Sequence, residues 1–316
     1  MNHSLNTDTS LSEETPSEQY LVANKLRLCY DEFGKKSDPA IVLIMGLGTQ
    51  MISWPDVFCQ SLADKGHRVV RFDNRDIGLS EKIKLDRPLS VPNIMLRSRL
   101  GLKFWVPYTL HDMAKDTVGV LDALEIDNAH IVGASMGGMI AQLVAATYPE
   151  RVRSLTSVMS TTGNPRLPSP SWRVSKQLLS RPTSGSEQEL VAHALKTWAI
   201  IGSPDFPPNQ DDLRERILRG IRRSFYPAGY RNQMAAIAEN GDRRRTLANI
   251  TAPTLVIHGK ADVLVPVEGG LDTARHIKGA ELKLIEGMGH DLPKELIPRL
   301  SRMITRHTLA AEEARS

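Results

Sequence analysis

The sequence predicts an α/β fold, a mostly parallel twisted central sheet flanked by helices and interrupted by a helical insertion. Two observations carry that prediction. Short apolar runs alternate with stretches of helical period along most of the 316 residues. One run, residues 40–45 (AIVLIM), is apolar throughout, as a strand covered on both faces must be. No internal repeat or low-complexity tract competes with this pattern.

The elements follow in order. Residues 1–19 are polar, rich in Ser, Thr, Asn and Glu, and are expected to be a flexible tail. Residues 20–23 and 26–30 flank Asn24-Lys25 and predict an opening antiparallel hairpin. The AIVLIM strand is followed by expected strands at 67–72, 130–133, 155–159, 254–258 and 281–285. Helices are expected over 54–65, 110–124, 136–148, 266–276 and 293–306. Two stretches break the rhythm. Residues 83–108 mix apolar and basic side chains. Residues 162–249 open with Pro165, Pro168 and Pro170 and then offer helical segments near 171–179, 187–200, 211–225 and 230–240. Ser186 and Glu189 have capping-box spacing at the head of one of these. The expected organisation is a core made of 20–161 and 250–316 with a helical cap at 162–249.

The chemistry concentrates at His130-Ile-Val-Gly133-Ala-Ser135-Met-Gly137-Gly138. An apolar strand runs into Gly-x-Ser-x-Gly, and an apolar helical stretch follows at once. A serine on such a turn occupies strained backbone, and its neighbours must be small because the flanking segments approach closely. The turn lifts the hydroxyl above the sheet and sets the Met136 N–H at a helix N-terminus, where it can meet negative charge. Ser135 is the candidate nucleophile.

A serine hydroxyl needs a base, and the base needs an orienting acid. The strand at 254–258 leads into Gly259-Lys260-Ala261-Asp262, and the strand at 281–285 into Glu286-Gly287-Met288-Gly289-His290. The order Ser, Asp, His is the one that accompanies this kind of serine turn. Of nine histidines, only His290 lies in a glycine-flanked loop after the last strand. Asp262 is the candidate acid. Asp291 follows the histidine too directly to reach back to its ring, and Glu286 points away if the strand keeps its alternation.

Acyl chemistry also needs donors for a developing oxyanion. Gly46-Leu47-Gly48-Thr49-Gln50 leaves the AIVLIM strand as a glycine-rich turn, so the N–H groups of Leu47 and Met136 are the predicted pair. Residues 73–80 (DNRDIGLS) are read as a hydrogen-bonded brace for that loop. Gly46, Leu47, Trp105 and Val263 are the candidate substrate-binding positions.

At this point the chain resembles the α/β-hydrolase superfamily, and within it the esterases similar to aclacinomycin methylesterase. The resemblance runs from about residue 20 to about residue 306. It rests on MGLG (45–48), DNRDIGLS (73–80), GASMGG (133–138), HGKADVLVP (258–266) and GMGHDLP (287–293). It implies the α/β-hydrolase fold, triad roles for Ser135, Asp262 and His290, oxyanion roles for Leu47 and Met136, and a cap at 162–249. One departure is that many relatives carry His-Gly where this chain has Met45-Gly46. The implied activity is a serine carboxylesterase acting on short- to medium-chain or small methyl esters. C–C bond hydrolases, acyltransferases and perhydrolases use the same residues, so the motifs do not separate them. A non-catalytic binding member of the fold usually lacks part of the triad.

Composition bounds the remainder. Forty basic against 36 acidic residues give a net charge of +4, too mild for a nucleic-acid role. The cap arginines (Arg214, Arg216, Arg219, Arg222, Arg223, Arg231, Arg243, Arg244, Arg245) are interleaved with Asp211, Asp212, Glu215, Glu239 and Asp242, predicting a salt-bridged solvated face. Cys29 and Cys59 form neither a disulfide framework nor a CxxC pair, so no metal is expected and no cofactor is required. No window approaches the roughly 18 apolar residues of a membrane span. The expected partner is a small-molecule ester in the cytoplasm, with monomer and homodimer both open. Residues 94–106 do not separate into apolar and basic helical faces, so they are expected to pack under the cap and line an acyl pocket rather than lie on an interface.

Overall fold

Asn24 and Lys25 both take positive φ, 47° and 66°, as a two-residue type I′ turn requires. β1 (Gln19–Ala23) therefore folds back on β2 (Leu26–Phe33) with Ala23 opposite Leu26. The computed structural model describes residues 17–180, 182 and 184–315, so the expected tail lies outside the described residues as far as position 16. Beyond the hairpin come β3 (Ala40–Ile44), α1 (Asp56–Ala63), β4 (Arg68–Phe72), α2 (Val91–Arg99), α3 (Leu110–Ala123), β5 (Ala129–Ala134), α4 (Met136–Thr147) and β6 (Val152–Val158). The segment between β6 and β7 holds α5 (Trp172–Leu179), α6 (Glu187–Ile201), α7 (Gln210–Arg223), α8 (Pro227–Asn240) and α9 (Arg244–Leu247). β7 (Thr254–Gly259), α10 (Glu268–His276), β8 (Glu281–Ile285) and α11 (Ile297–Glu313) complete the chain.

The eight strands form one sheet in the order β1-β2-β4-β3-β5-β6-β7-β8. The β1–β2 and β2–β4 pairs are antiparallel and all the others parallel. Side-chain alternation then builds two cores. Ala40, Val42 and Ile44 face α3 and α4, while Ile41, Leu43 and Met45 face α1 and α11. Every residue of β3 is buried, which explains the unbroken AIVLI run. Each Ile, Val or Leu of the run contributes about 1.5–3 kcal/mol over an exposed one.

Three elements depart from the expectation. α11 runs on to Glu313 rather than stopping near 306. The four-residue α9 and the nine-residue α2 were not expected. α2 starts with a proline in its first turn, and only its Val91, Ile94 and Ser98 stripe turns inward. Ile94 is buried, and the Ser98 hydroxyl donates to the Ala238 carbonyl on α8 (3.0 Å). Met95, Leu96, Leu100, Leu102 and Trp105 are exposed. The expectation that 94–106 packs under the insertion is thus overturned for most of the stretch: α2 turns one face to α8 and its Met95 and Leu96 outward, while Leu100, Leu102 and Trp105 follow the helix as exposed residues. Among the described residues no helix is long and apolar enough to cross a membrane.

Burial lowers the pKa of His67, His130, His258 and His307, taking His130 to about 3. Glu312 lies 3.3 Å from His130 Nε2, but burial, reinforced by His67 and Arg153, outweighs it. In the unfolded chain these rings protonate near pH 6.5. Below that pH the unfolded state binds more protons than the folded one, so stability is full above about 6.5 and declines as pH falls. The buried Asp31, Asp73 and Asp116, whose pKa values burial raises, act in the opposite sense nearer the carboxylate range. Thermal unfolding scans should therefore show a lower melting temperature at pH 6.0 than at pH 7.5; equal or reversed values would contradict the assignment.

Candidate active site

The serine turn is built by close approach. β5 ends at Ala134, α4 begins at Met136, and Ser135 between them takes φ 55° and ψ −119°, a conformation a residue with a Cβ rarely adopts. Backbone bonds hold it there. Ser135 N–H donates to the Val158 carbonyl (2.9 Å), and the Ser135 carbonyl accepts from Ser160 Oγ (2.8 Å) and Gly138 N–H (3.0 Å). The flanking glycines leave no room for a side chain. A Cβ on Gly133 would sit 2.1 Å from the Gly137 carbonyl oxygen, and one on Gly137 would sit 2.0 Å from that of Ile44.

The loops after β7 and β8 bring the other two groups to this hydroxyl. Asp262 is buried, and its Oδ1 accepts from the N–H groups of Leu264 (2.9 Å) and Val265 (2.8 Å). Its Oδ2 accepts from His290 Nδ1–H at 2.7 Å. That bond leaves His290 Nε2 as an acceptor, 3.0 Å from Ser135 Oγ. His258, held neutral by burial, donates from Nε2 to the Val265 carbonyl (2.8 Å) and backs the Asp262 loop. The two rival acids are engaged elsewhere: Asp291 accepts from Ser203 Oγ, and Glu286 pairs with Lys260. The histidine loop is gripped from α6. His290 N–H donates to the Ile201 carbonyl (2.7 Å), and Gly289 N–H to Ser203 Oγ (2.8 Å).

The loop after β3 lies beside the serine. A Cβ on Gly46 would be 3.1 Å from Ser135 Cβ and 3.6 Å from its Oγ. Neither Leu47 N–H nor Met136 N–H has an acceptor among the described residues. Residues 73–80 brace this loop. Asp73 Oδ1 accepts from Met51 N–H (2.8 Å), and Asn74 Nδ2 donates to the Met45 carbonyl (3.0 Å). Arg223, from α7, closes on Asp73 Oδ2 at 2.7 Å.

The four substrate-binding candidates divide. Gly46 and Leu47 adjoin Ser135 in the loop just described. Val263 is 41% exposed beside Asp262. Trp105 is 66% exposed and lines a shallow hollow of about 290 Å³ with Leu89, Asn93, Ile94 and Phe104, a hollow that includes no triad residue. Its expected place in the pocket is corrected accordingly, since Trp105 lies in the loop between α2 and α3 and is exposed there. The arginine face also differs from expectation. Arg222 pairs with Glu187 and Arg244 with Asp242 at the surface, but Arg223 meets Asp73 and Glu18, and Arg243 is fully buried. Sequence reasoning missed Ser203, Gln233 and His258. Ser203 and Gln233 carry no local signal, and His258 stood in the HGKADVLVP motif with no role assigned to it.

A family model described as alpha/beta hydrolase fold matches residues 39–295. The chain is 30% identical to rhodomycin D methylesterase DauP of Streptomyces sp. (strain C5), over 92% of this chain and 98% of that one. It is 28% identical to a 2-hydroxy-6-oxononadienedioate/2-hydroxy-6-oxononatrienedioate hydrolase of Burkholderia vietnamiensis, over 94% and 98% of the two chains. Among solved structures, the enol-lactonase from Burkholderia xenovorans LB400 superposes with a TM-score of 0.71 at 24% identity, covering 92% of this chain and 99% of that one.

The close packing at the serine turn predicts that Gly133→Ala costs at least about 1–3 kcal/mol as an overpacked substitution. The measurement is the denaturation midpoint beside that of the parent; an unchanged midpoint would show that the turn has slack.

Proposed function

The chain belongs to the alpha/beta hydrolase family and is a hydrolase, and on that premise we propose that it is a serine carboxylesterase acting on small-molecule esters. One observation carries the reading: the continuous hydrogen-bonded chain from Asp262 through His290 to Ser135. The tautomer set by Asp262 leaves Nε2 free to take the Ser135 proton as Oγ attacks the ester carbonyl. The carbonyl oxygen, now negative, is received by the N–H groups of Leu47 and Met136. As the tetrahedral species collapses, His290 returns the proton to the leaving alcohol and an acyl-enzyme remains. Water, deprotonated by His290, attacks the acyl carbonyl; the acid departs and Ser135 regains its proton. Asp262, which accepts from two backbone N–H groups and one imidazole N–H, stabilises the imidazolium as it forms.

Similarity to two rhodomycin D methylesterases, 30% and 29% identical, favours small methyl esters over long acyl chains. Similarity to the 2-hydroxy-6-oxononadienedioate/2-hydroxy-6-oxononatrienedioate hydrolase keeps a second reading alive, hydrolysis of a C–C bond next to a ketone by the same three residues. Two buried, unpaired cysteines, Cys29 and Cys59, support the cytoplasmic placement.

A p-nitrophenyl ester panel from acetate to palmitate, with a polyketide methyl ester and a dienoate ketone alongside, tests this. The expected profile is turnover of short esters or the methyl ester, lost in Ser135→Ala. Cleavage of the ketone alone would transfer the assignment to C–C hydrolysis, and no labelling by a fluorophosphonate probe would remove the serine hydrolase reading altogether. Asp262→Asn should lower kcat by on the order of 10³–10⁴-fold, because the amide no longer holds the Nδ1–H tautomer; a loss below tenfold would dismiss Asp262 as the orienting acid.

A further inference from the structure

The N–H of Leu47 can serve an oxyanion only if its peptide plane is held in one orientation. In a trans peptide the C=O and N–H point in opposite directions, so fixing one group aims the other. The three successive planes around Leu47 are each pinned by a side chain. The Met45 carbonyl accepts from Asn74 Nδ2 (3.0 Å). The Gly46 carbonyl, opposite the Leu47 N–H in its plane, accepts from Thr49 Oγ1 (3.0 Å). The Gly48 N–H, in the next plane, donates to Gln233 Oε1 (2.9 Å).

Asn74 and Thr49 belong to the loop and its brace, but Gln233 arrives from α8, 185 residues along the chain. It is 0% exposed. Its Nε2 donates to the Arg75 carbonyl (3.0 Å), and Arg75 is locked on Asp116 by two bonds of 2.6 Å. Both ends of the amide are thus used, one on the loop and one on the brace. Gly48 takes φ 69°, and a Cβ there would lie 2.5 Å from the Tyr230 ring, one turn earlier on α8. The same loop is tied to α7, where Gln50 Nε2 donates to the carbonyls of Gly220 (2.6 Å) and Ser224 (2.9 Å).

We propose that Gln233 is a positioning residue of the oxyanion hole, through which the insertion sets the direction of the Leu47 N–H. The proposal rests on the serine hydrolase reading and extends it. Gln233 is fully buried and acts indirectly: by fixing the Leu47–Gly48 plane it limits rotation about the Leu47 backbone torsions, and with Thr49 on the Gly46 carbonyl this holds the adjoining plane that carries the Leu47 N–H.

The test compares the full chain with Gln233→Met, which keeps the length and removes both bonds, and Gln233→Glu, which in its protonated form keeps one acceptor and one donor. Removing an oxyanion donor outright costs about 10²–10³-fold in kcat, so misaiming one should cost roughly 10- to 100-fold. In Gln233→Met, kcat for a p-nitrophenyl ester and the fluorophosphonate labelling rate should fall by that factor. KM and the acid limb of the pH profile, which reports the base, should stay unmoved. Hydrogen exchange should quicken at residues 46–49 and remain unchanged in β5 and α4. Measured relative to the parent at the same pH, Gln233→Glu should regain activity as pH is lowered and its carboxyl takes up a proton, and it decides the matter alone if Gln233→Met does not fold. Labelling at the parental rate in a folded variant, or a shifted base limb with an equal rise in KM, would overturn the proposal while leaving Ser135 as nucleophile. A parent protein that does not label would remove both.

Discussion

Everything at this site depends on how closely the ends of β3 and β5 approach. The start of α4 presses on the Ile44 carbonyl at a distance no side chain on Gly137 would permit, and Gly133 lies equally tightly under Gly137. That contact sets the helix directly over the sheet edge and forces Ser135 into positive φ. It also places the loop after β3 against the serine side chain, so the proposed nucleophile and oxyanion donors are positioned by one packing event. The strain is sustained because Val158, Ser160 and the first turn of α4 occupy the Ser135 backbone groups.

Charge is arranged in keeping with that geometry. Asp262 is buried but faces two backbone amides and an imidazole N–H, so its negative charge is solvated by fixed dipoles instead of water. Asp73, buried under the neighbouring loop, is met by Arg223 and by the amides of Met51 and Leu79. Asp291, whose carboxyl burial pushes up, takes Ser203 as a partner and not the His290 ring. Three carboxylates near one centre therefore stay distinct because each has its own donors.

The insertion between β6 and β7 is more than a wall above the serine. Its α6 end bonds the backbone of Gly289 and His290, its α8 bonds Gly48, and its α7 holds Gln50 and Asp73. Both loops that converge on Ser135 are anchored in the same helical segment. A change that reshaped this segment for a new substrate would also disturb the alignment of the reacting groups, which couples specificity to rate in the proposed esterase.

The sequence by itself determined the sheet, the serine turn and the three residues that meet there, because each depends on local pattern: unbroken apolar strands, glycines where backbones touch, and loops in the order Ser, Asp, His. Asp73 and Asn74 were legible as a brace for the same reason, as polar residues crowded after a strand. The parts decided only by tertiary structure are those in which a residue's partner is remote. Gln233 and Ser203 are ordinary helix and loop residues until folding carries Gly48 and Gly289 to them. Trp105 sat in a mixed apolar and basic stretch that reads as pocket lining, yet it falls in the exposed loop that follows α2, where no neighbouring element covers it. The arginines followed the same rule, with Arg223 drawn inward to Asp73 while Arg222 stayed at the surface with Glu187. Local chemistry specifies which groups can react; long-range hydrogen bonds and the limited area of each helix face specify what holds them.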